Sequence, residues 1–357
     1  MREIELITNQ AELEAVAATF AESPLLAIDT EFVRETTYYA KLCLIQVAND
    51  ELVACVDCLA DLDLDPLFGA LFRDSCVWVL HSARQDLEVV WQRTGRLPPR
   101  LIDTQIAAAL LGSAPQIGLE ELLAKTLGVE LGASYARTDW SRRPLPAPAL
   151  RYALDDVRFL LPSWRKQHDD LAALGRLEWL EEDSRRQLAE PPVADSVTIW
   201  LRLKGARALG EAQQRAALAL VRWREGVAQR FDRPRRWILA DEALLGIAEA
   251  VPRTRDELAA TLAVPARFVA KHGGEVLAAV AAASGDAEIA ALVREHGAAP
   301  IADKQRVKAL QQLTRERALA LKIEPEILAT RRDLAALAIG NPPAHLRDGW
   351  RAAALGF

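Results

Sequence analysis

Three β-rich runs follow one another so closely near the start of this 357-residue chain that few folds can accommodate them. They occupy 25–29, 42–47 and 52–56 and draw heavily on Leu, Ile and Val. The first gap contains a long turn over 34–41 and the second is the tight Asn49-Asp50. Short connections of this kind join antiparallel neighbours, so the three runs are expected to form a meander. A fourth run at 76–81 follows a helical pattern, and later strands alternate with helices. The expectation is a mixed α/β sheet covered by helices.

At 189–196, Pro191 and Pro192 interrupt the pattern after a highly charged helical stretch. Beyond them, 211–229, Asp241–Ala250, 255–262, 265–283 and 302–321 read as helices jointed at Pro or Gly, which describes compact helical bundles. The expected domains are 1–190, 197–284 and 300–357, with the second joint near Ser284-Gly285-Asp286 or at 297–300. With 51% hydrophobic and 26% charged residues, extensive disorder is excluded. No apolar run is long enough to span a membrane, and 1–5 lacks a signal-peptide core, so a cytoplasmic protein without a membrane partner is expected. Four cysteines are too few for a disulfide framework. Cys55-Val56-Asp57-Cys58 has metal-site spacing but no second Cys or His pair, and is read as buried hydrophobes. No obligatory protein partner is inferred.

The charge is distributed unevenly. Residues 1–190 carry 19 Lys and Arg against 31 Asp and Glu, whereas 191–357 carry 25 against 19. An acidic front half suits bound cations, and a basic back half suits a polyanion.

Three carboxylate segments in the front half point to one chemistry. In Asp29-Thr30-Glu31 the strand repeat puts both acids on one sheet face, at the end of an apolar run. Asp86 and Glu88 lie just past the run ending at His81, at a helix start. Tyr152 and Asp156 stand four apart on one helix face, while Asp155 is expected to face solvent. Carboxylates gathered in this way hold two Mg²⁺ or Mn²⁺ ions, which activate a water for attack on phosphorus and stabilise a leaving 3′ oxygen. Tyr152 is suited to orienting that water.

These segments resemble those of bacterial ribonuclease D. The resemblance rests on Phe32-Val33-Arg34 after the Asp29 segment, Tyr38-Tyr39, Leu44-Ile45-Gln46, 81–88, Asp103-Thr104-Gln105, Arg137-Thr138-Asp139-Trp140 and the Tyr152 helix. Later, 200–205, Trp223-Arg224-Glu225 and 241–245 are similar to the HRDC domain, which that family carries twice. The resemblance implies a ribonuclease H-like exonuclease domain, the Tyr-containing DEDD branch, and 3′-to-5′ release of nucleoside 5′-monophosphates from structured RNA such as tRNA precursors. It selects Asp86 over Glu88 and implies Asp29, Glu31, Asp86 and Asp156 as ligands, with Tyr152 as the family tyrosine. The chain departs from the family at Cys58, where a Pro or small residue is expected, and in the shortness of 301–357.

Other residues carry two readings each. Gln46 and His81 are placed either to contact the terminal ribose or phosphate or to satisfy buried polar groups. Gln116 lies in a loop that either approaches the terminal nucleotide or merely connects. Arg137, Trp140, Arg142 and Arg143 suit a single strand, unless Trp140 is packed. Arg230, Arg233, Arg235 and Arg236 surround Pro234 beside Trp237, in a loop that tracks phosphates or is simply solvated. The competing functions are a DNA exonuclease with the same metals, since only a 2′-OH contact separates the two, and a non-catalytic nucleic-acid binder.

Overall fold

The computed structural model describes residues 1–297 and 302–356 and resolves the chain into two compact units. The first contains Met1–Val33, Lys41–Pro192 and Ala302–Phe357; the second contains Arg34–Ala40 and Val193–Ile301. The expected joint at 297–300 falls largely outside the described residues.

The first unit is built on a six-stranded sheet in the order β1-β4-β3-β2-β5-β6. Its centre is the meander of β2 (Leu25–Val33), β3 (Lys41–Ala48) and β4 (Leu52–Asp57), antiparallel throughout. The Asn49 side chain makes the second turn tight, its Oδ1 accepting from the backbone N–H of Glu51 and Leu52 at 2.9 and 2.8 Å. β5 (Val77–Leu80) and β6 (Leu101–Asp103) extend the sheet in parallel beyond β2, while β1 (Arg2–Ile7) pairs in parallel with β4. β2 runs four residues past Asp29, because ladder pairing with β3 continues through Glu31↔Leu44 and resumes after a bulge at Phe32. The acidic pair therefore lies inside the strand and not at its end.

Residues 302–356, expected as a separate bundle, share the core of this unit. Ala318, Leu328, Leu334 and Trp350 belong to the same apolar cluster as Leu44, Val79 and Leu154. Trp350 stacks on Trp179 with ring centroids 4.4 Å apart and planes 5° from parallel. Arg176 ties the helix Thr104–Leu110 to the helix Lys304–Leu321 by donating to the carbonyls of Leu110 and Leu321.

The second unit gathers around the helix Glu211–Arg230, whose buried face includes Leu218, Leu220 and Val221. The helices Ser196–Arg202, Asp241–Ala250, Ala266–Ala283 and Ala287–His296 complete its core. The segment Arg34–Ala40 belongs to this unit: the Tyr38 hydroxyl donates to Glu225 at 2.8 Å, and the N–H groups of Tyr38 and Tyr39 donate to Asp232 Oδ1. Among the described residues, no single helix is long and apolar enough to cross a membrane.

Candidate active site

The carboxylates meet where β2 passes beneath the helix Ala147–Arg158. Alternation along β2 presents Asp29 and Glu31 on one face, and the helical i, i+4 spacing brings Tyr152 and Asp156 over them. One carboxylate oxygen each from Asp29, Glu31 and Asp156 lie within 4.8 Å of one another. These residues line a cavity of about 300 Å³ with Asp86 and Tyr152. Asp86 stands beside the trio and is buried at 7% exposure. Its Oδ1 accepts from the Thr30 N–H at 3.1 Å and the Thr30 hydroxyl at 2.5 Å. Glu88 lines no part of the cavity and bonds Gln92. Asp155 turns away and pairs with Arg158 at 2.9 Å, so it is neutralised by an ion pair, not by solvent alone.

Gathering four acids in a half-closed cavity is electrostatically costly, and the proton affinities record it. Burial, followed by the charges of Asp86, Asp156 and Glu31, holds Asp29 well above the carboxylate range. Burial with Asp156 and Asp86 pushes Glu31 up to about 9. Burial pushes Asp156 to about 7, against a hydrogen bond from Tyr152 that acts in the opposite sense. Asp86 rises least, to about 6, because the Thr30 donors stabilise its charged form against burial. Burial and the neighbouring carboxylates raise Tyr152, so its phenol is neutral at working pH. Hard oxygen donors converging in this way fit divalent cations such as Mg²⁺ or Mn²⁺, whose charge would offset the repulsion.

Asp103 anchors the turn that aims Asp86. Its Oδ1 accepts from the N–H groups of Ser82 and Gln105, and its Oδ2 from Ala83 N–H, all at 2.9 Å. Ser82 itself sits at φ 60°, a left-handed conformation uncommon outside Gly and Asn. Neither Asp103 nor Thr30 carries a sequence signal for this role beyond its place in a motif.

Several other candidates are structural. His81 lines the cavity but is satisfied: Nε2 donates to the Ile117 carbonyl at 2.9 Å, and Nδ1 lies 3.0 Å from Thr104 Oγ1. Gln46 pairs with Asp29 across the sheet and is fully buried, with neither Oε1 nor Nε2 hydrogen-bonded among the described residues, so it matches neither a substrate contact nor a satisfied polar group. Trp140 is 1% exposed and packs 6.4 Å from Tyr152, so it cannot present a face to a base. Arg143 is locked bidentately to Asp57 at 2.6 and 2.5 Å. Arg235 donates to both oxygens of Glu225 and lies 5.0 Å over the Tyr38 ring, which removes it from the freely solvated cations. Gln116, Arg137, Arg233 and Arg236 are exposed. The CxxC cysteines are free, with Cys55 buried and Cys58 half-buried, as the hydrophobe reading requires.

Comparison with known proteins agrees with this geometry. Residues 4–170 match the 3'-5' exonuclease family and 213–280 match the HRDC domain. The chain is 35% identical to ribonuclease D of Granulibacter bethesdensis over 97% of its own length and 89% of that protein. It is 36% identical to ribonuclease D of Gluconacetobacter diazotrophicus over 98% and 90%. The crystal structure of Escherichia coli RNase D, described as an exoribonuclease involved in structured RNA processing, superimposes with a TM-score of 0.85 at 30% identity, covering 100% of this chain and 98% of that one. The acidic cavity on the meander, the matched exonuclease and HRDC segments and the near full-length identity lead to one conclusion: the chain belongs to the ribonuclease D family.

Proposed function

We propose that the chain trims structured RNA, tRNA precursors with 3′ extensions in particular, by removing nucleoside 5′-monophosphates one at a time from the 3′ end in the cytoplasm. A 3′-to-5′ exoribonuclease is what the ribonuclease D family membership assigns. The observation that carries the mechanism is the convergence of the Asp29, Glu31 and Asp156 oxygens within 4.8 Å. Two divalent cations held there and by Asp86 would supply an activated water and stabilise the leaving oxygen.

The residues of the chain do the rest. Thr30 holds Asp86 in the orientation from which its carboxylate faces the cavity. Tyr152, neutral and one helical turn from Asp156, keeps a hydroxyl at the cavity wall where it orients the attacking water. It does not remove the proton, because burial and then the acids around it keep its phenol protonated. His81 and the Gln105 side chain both donate to the Ile117 carbonyl and so fix the loop carrying Gln116 next to the site. Gln116 and Arg137 are the side chains we assign to the terminal nucleotide.

The test is a time course on 3′-extended tRNA in Mg²⁺ and in EDTA, with the products sized. Mononucleotides released in Mg²⁺ only, and a rate reduced at least about a thousandfold in Asp29→Asn, are expected. Trimming by Asp29→Asn at the wild-type rate would overturn the assignment.

A further inference from the structure

We propose that the helical unit seats one nucleotide of an unpaired RNA segment across two adjoining cavities, its phosphate beside Arg202, Arg224 and Arg236 and its base against Trp237, Phe268 and His272. The inference rests on the RNA reading above and adds to it a binding site distant in sequence from the carboxylates. The short helix Arg235–Ile238 separates the cavities, and Arg236 lines both.

The first cavity, of about 460 Å³, is lined by five arginines against Glu35 and Asp241. Its deepest cation is Arg224, only 2% exposed. One nitrogen of its guanidinium, Nη1, donates to the Leu239 carbonyl at 3.0 Å and to Asp241 at 2.6 Å. Its Nε is buried with no acceptor among the described residues. An unmet N–H on a buried cation is costly, and it leaves the guanidinium charge to be offset by an anionic oxygen in the cavity. Asp241 is itself 59% exposed, so its charge is largely screened by water and offsets Arg224 only in part. Arg202 and Arg236 stand exposed at the same cavity, with no ion pair among the described residues.

The second cavity, of about 380 Å³, sets aromatic rings among cations: Trp237, Phe268 and His272 line it together with Arg236, Arg267 and Lys271. Trp237 is 53% exposed at its edge. Inside, Phe268 and His272 stand 5.5 Å apart, and Trp223 meets both edge-on. His272 is 7% exposed, yet its Nδ1 has no hydrogen bond; the nearest acidic oxygen, on Glu275, is 3.6 Å away. A single exposed ring needs no explanation. The exposed Trp237 ring, with the Arg233 guanidinium 6.0 Å from its centroid, stands beside a buried imidazole whose Nδ1 makes no hydrogen bond, and it is that pairing that calls for an occupant. A nucleobase meets both demands, since its faces stack on aromatic rings and its edge carries hydrogen-bonding groups. Bases in a duplex are already stacked and paired, so the occupant is an unpaired segment.

The test is binding of a fluorescein-labelled oligoadenylate to the full chain in EDTA, which prevents hydrolysis, followed by anisotropy. Trp237→Ala is expected to weaken binding about tenfold, the worth of one stacked base, and Trp237→Phe to recover most of it. An abasic oligomer of the same length should bind Trp237→Ala and the parent chain alike. The Arg202→Gln, Arg236→Gln pair should flatten the dependence of log K on log salt by about 1.4 for both oligomers. Trp237→Ala binding oligoadenylate as tightly as the parent overturns the inference, as does an equal loss for the abasic oligomer or an unchanged salt slope. Because Trp237 is exposed, matching thermal transitions will show that its variants are folded. A chain that trims RNA while Trp237→Ala binds normally overturns this inference alone and leaves the exonuclease reading standing.

Discussion

At the scale of single residues, the site is a store of repulsion that bound cations would relieve. Asp29 is opposed by burial and by three neighbouring acids, so replacing it by Asn removes the most disfavoured charge. We expect Asp29→Asn to abolish trimming and yet to raise the melting temperature of the metal-free protein, by about 2 kcal/mol of stability, measured in EDTA. The pH dependence follows from the same groups. Asp86, Asp156 and Glu31 all bind protons more tightly folded than unfolded. In EDTA their contribution favours the fold at low pH and is withdrawn as the pH climbs through about 6, about 7 and about 9 in turn. Cations compete with these protons, so the gap between denaturation midpoints in Mn²⁺ and in EDTA should widen across that window. A gap that stays constant with pH would mean that these carboxylates are not the ligands. The acids themselves were legible in the sequence, because the two-residue repeat of a strand and the four-residue step of a helix each fix which side chains share a face. Thr30 was not, since nothing in Asp-Thr-Glu tells that the middle hydroxyl will hold Asp86.

At the scale of elements, Tyr152 and Asp103 separate chemistry from support. Tyr152→Phe keeps a ring of the same shape between Tyr135 and Trp140 but loses the hydroxyl at the wall of the cavity it shares with Asp156. Its kcat should fall about a hundredfold with stability and metal affinity little changed, as read by single-turnover trimming and thermal denaturation. Asp103→Ala leaves three backbone N–H groups without their acceptor and releases the turn at Ser82. It should cost about 2 kcal/mol in denaturant unfolding and weaken metal binding by displacing Asp86. The meander was legible because tight turn chemistry and β-rich composition agree over 42–56. β1 and β6 were not: β1 shows only a short alternation at the sheet edge, and β6 has three residues, too few for any periodicity. β2 runs beyond its apolar stretch because pairing with β3 carries Thr30 to Val33, a tertiary effect that local pattern does not contain.

At the scale of the whole molecule, the chain's last helices show what sequence pattern leaves open. An amphipathic stripe reports that a helix is covered and not what covers it. The helix Lys304–Leu321 and its successors read as a bundle of their own, yet their apolar side chains join the cluster around Leu154 and Val79. Trp350 is central to that union: 6% exposed, it stacks on Trp179, and its backbone N–H donates to Glu182 at 2.9 Å. Trp350→Ala opens a cavity in the core that also carries the carboxylates, at a cost of about 3–5 kcal/mol. The second unit has a separate core around Trp200 and Leu244 and should not register the change. Divalent cations discriminate between the two, because a ligand stabilises only the unit that binds it, by about 2.7 kcal/mol at a hundred times its Kd. Calorimetry of Trp350→Ala should therefore show one transition moved to lower temperature and partly restored by Mn²⁺, and a second transition unmoved by either. If Mn²⁺ shifted both transitions equally, or if the substitution lowered the metal-insensitive one, the last helices would not be part of the catalytic unit's core.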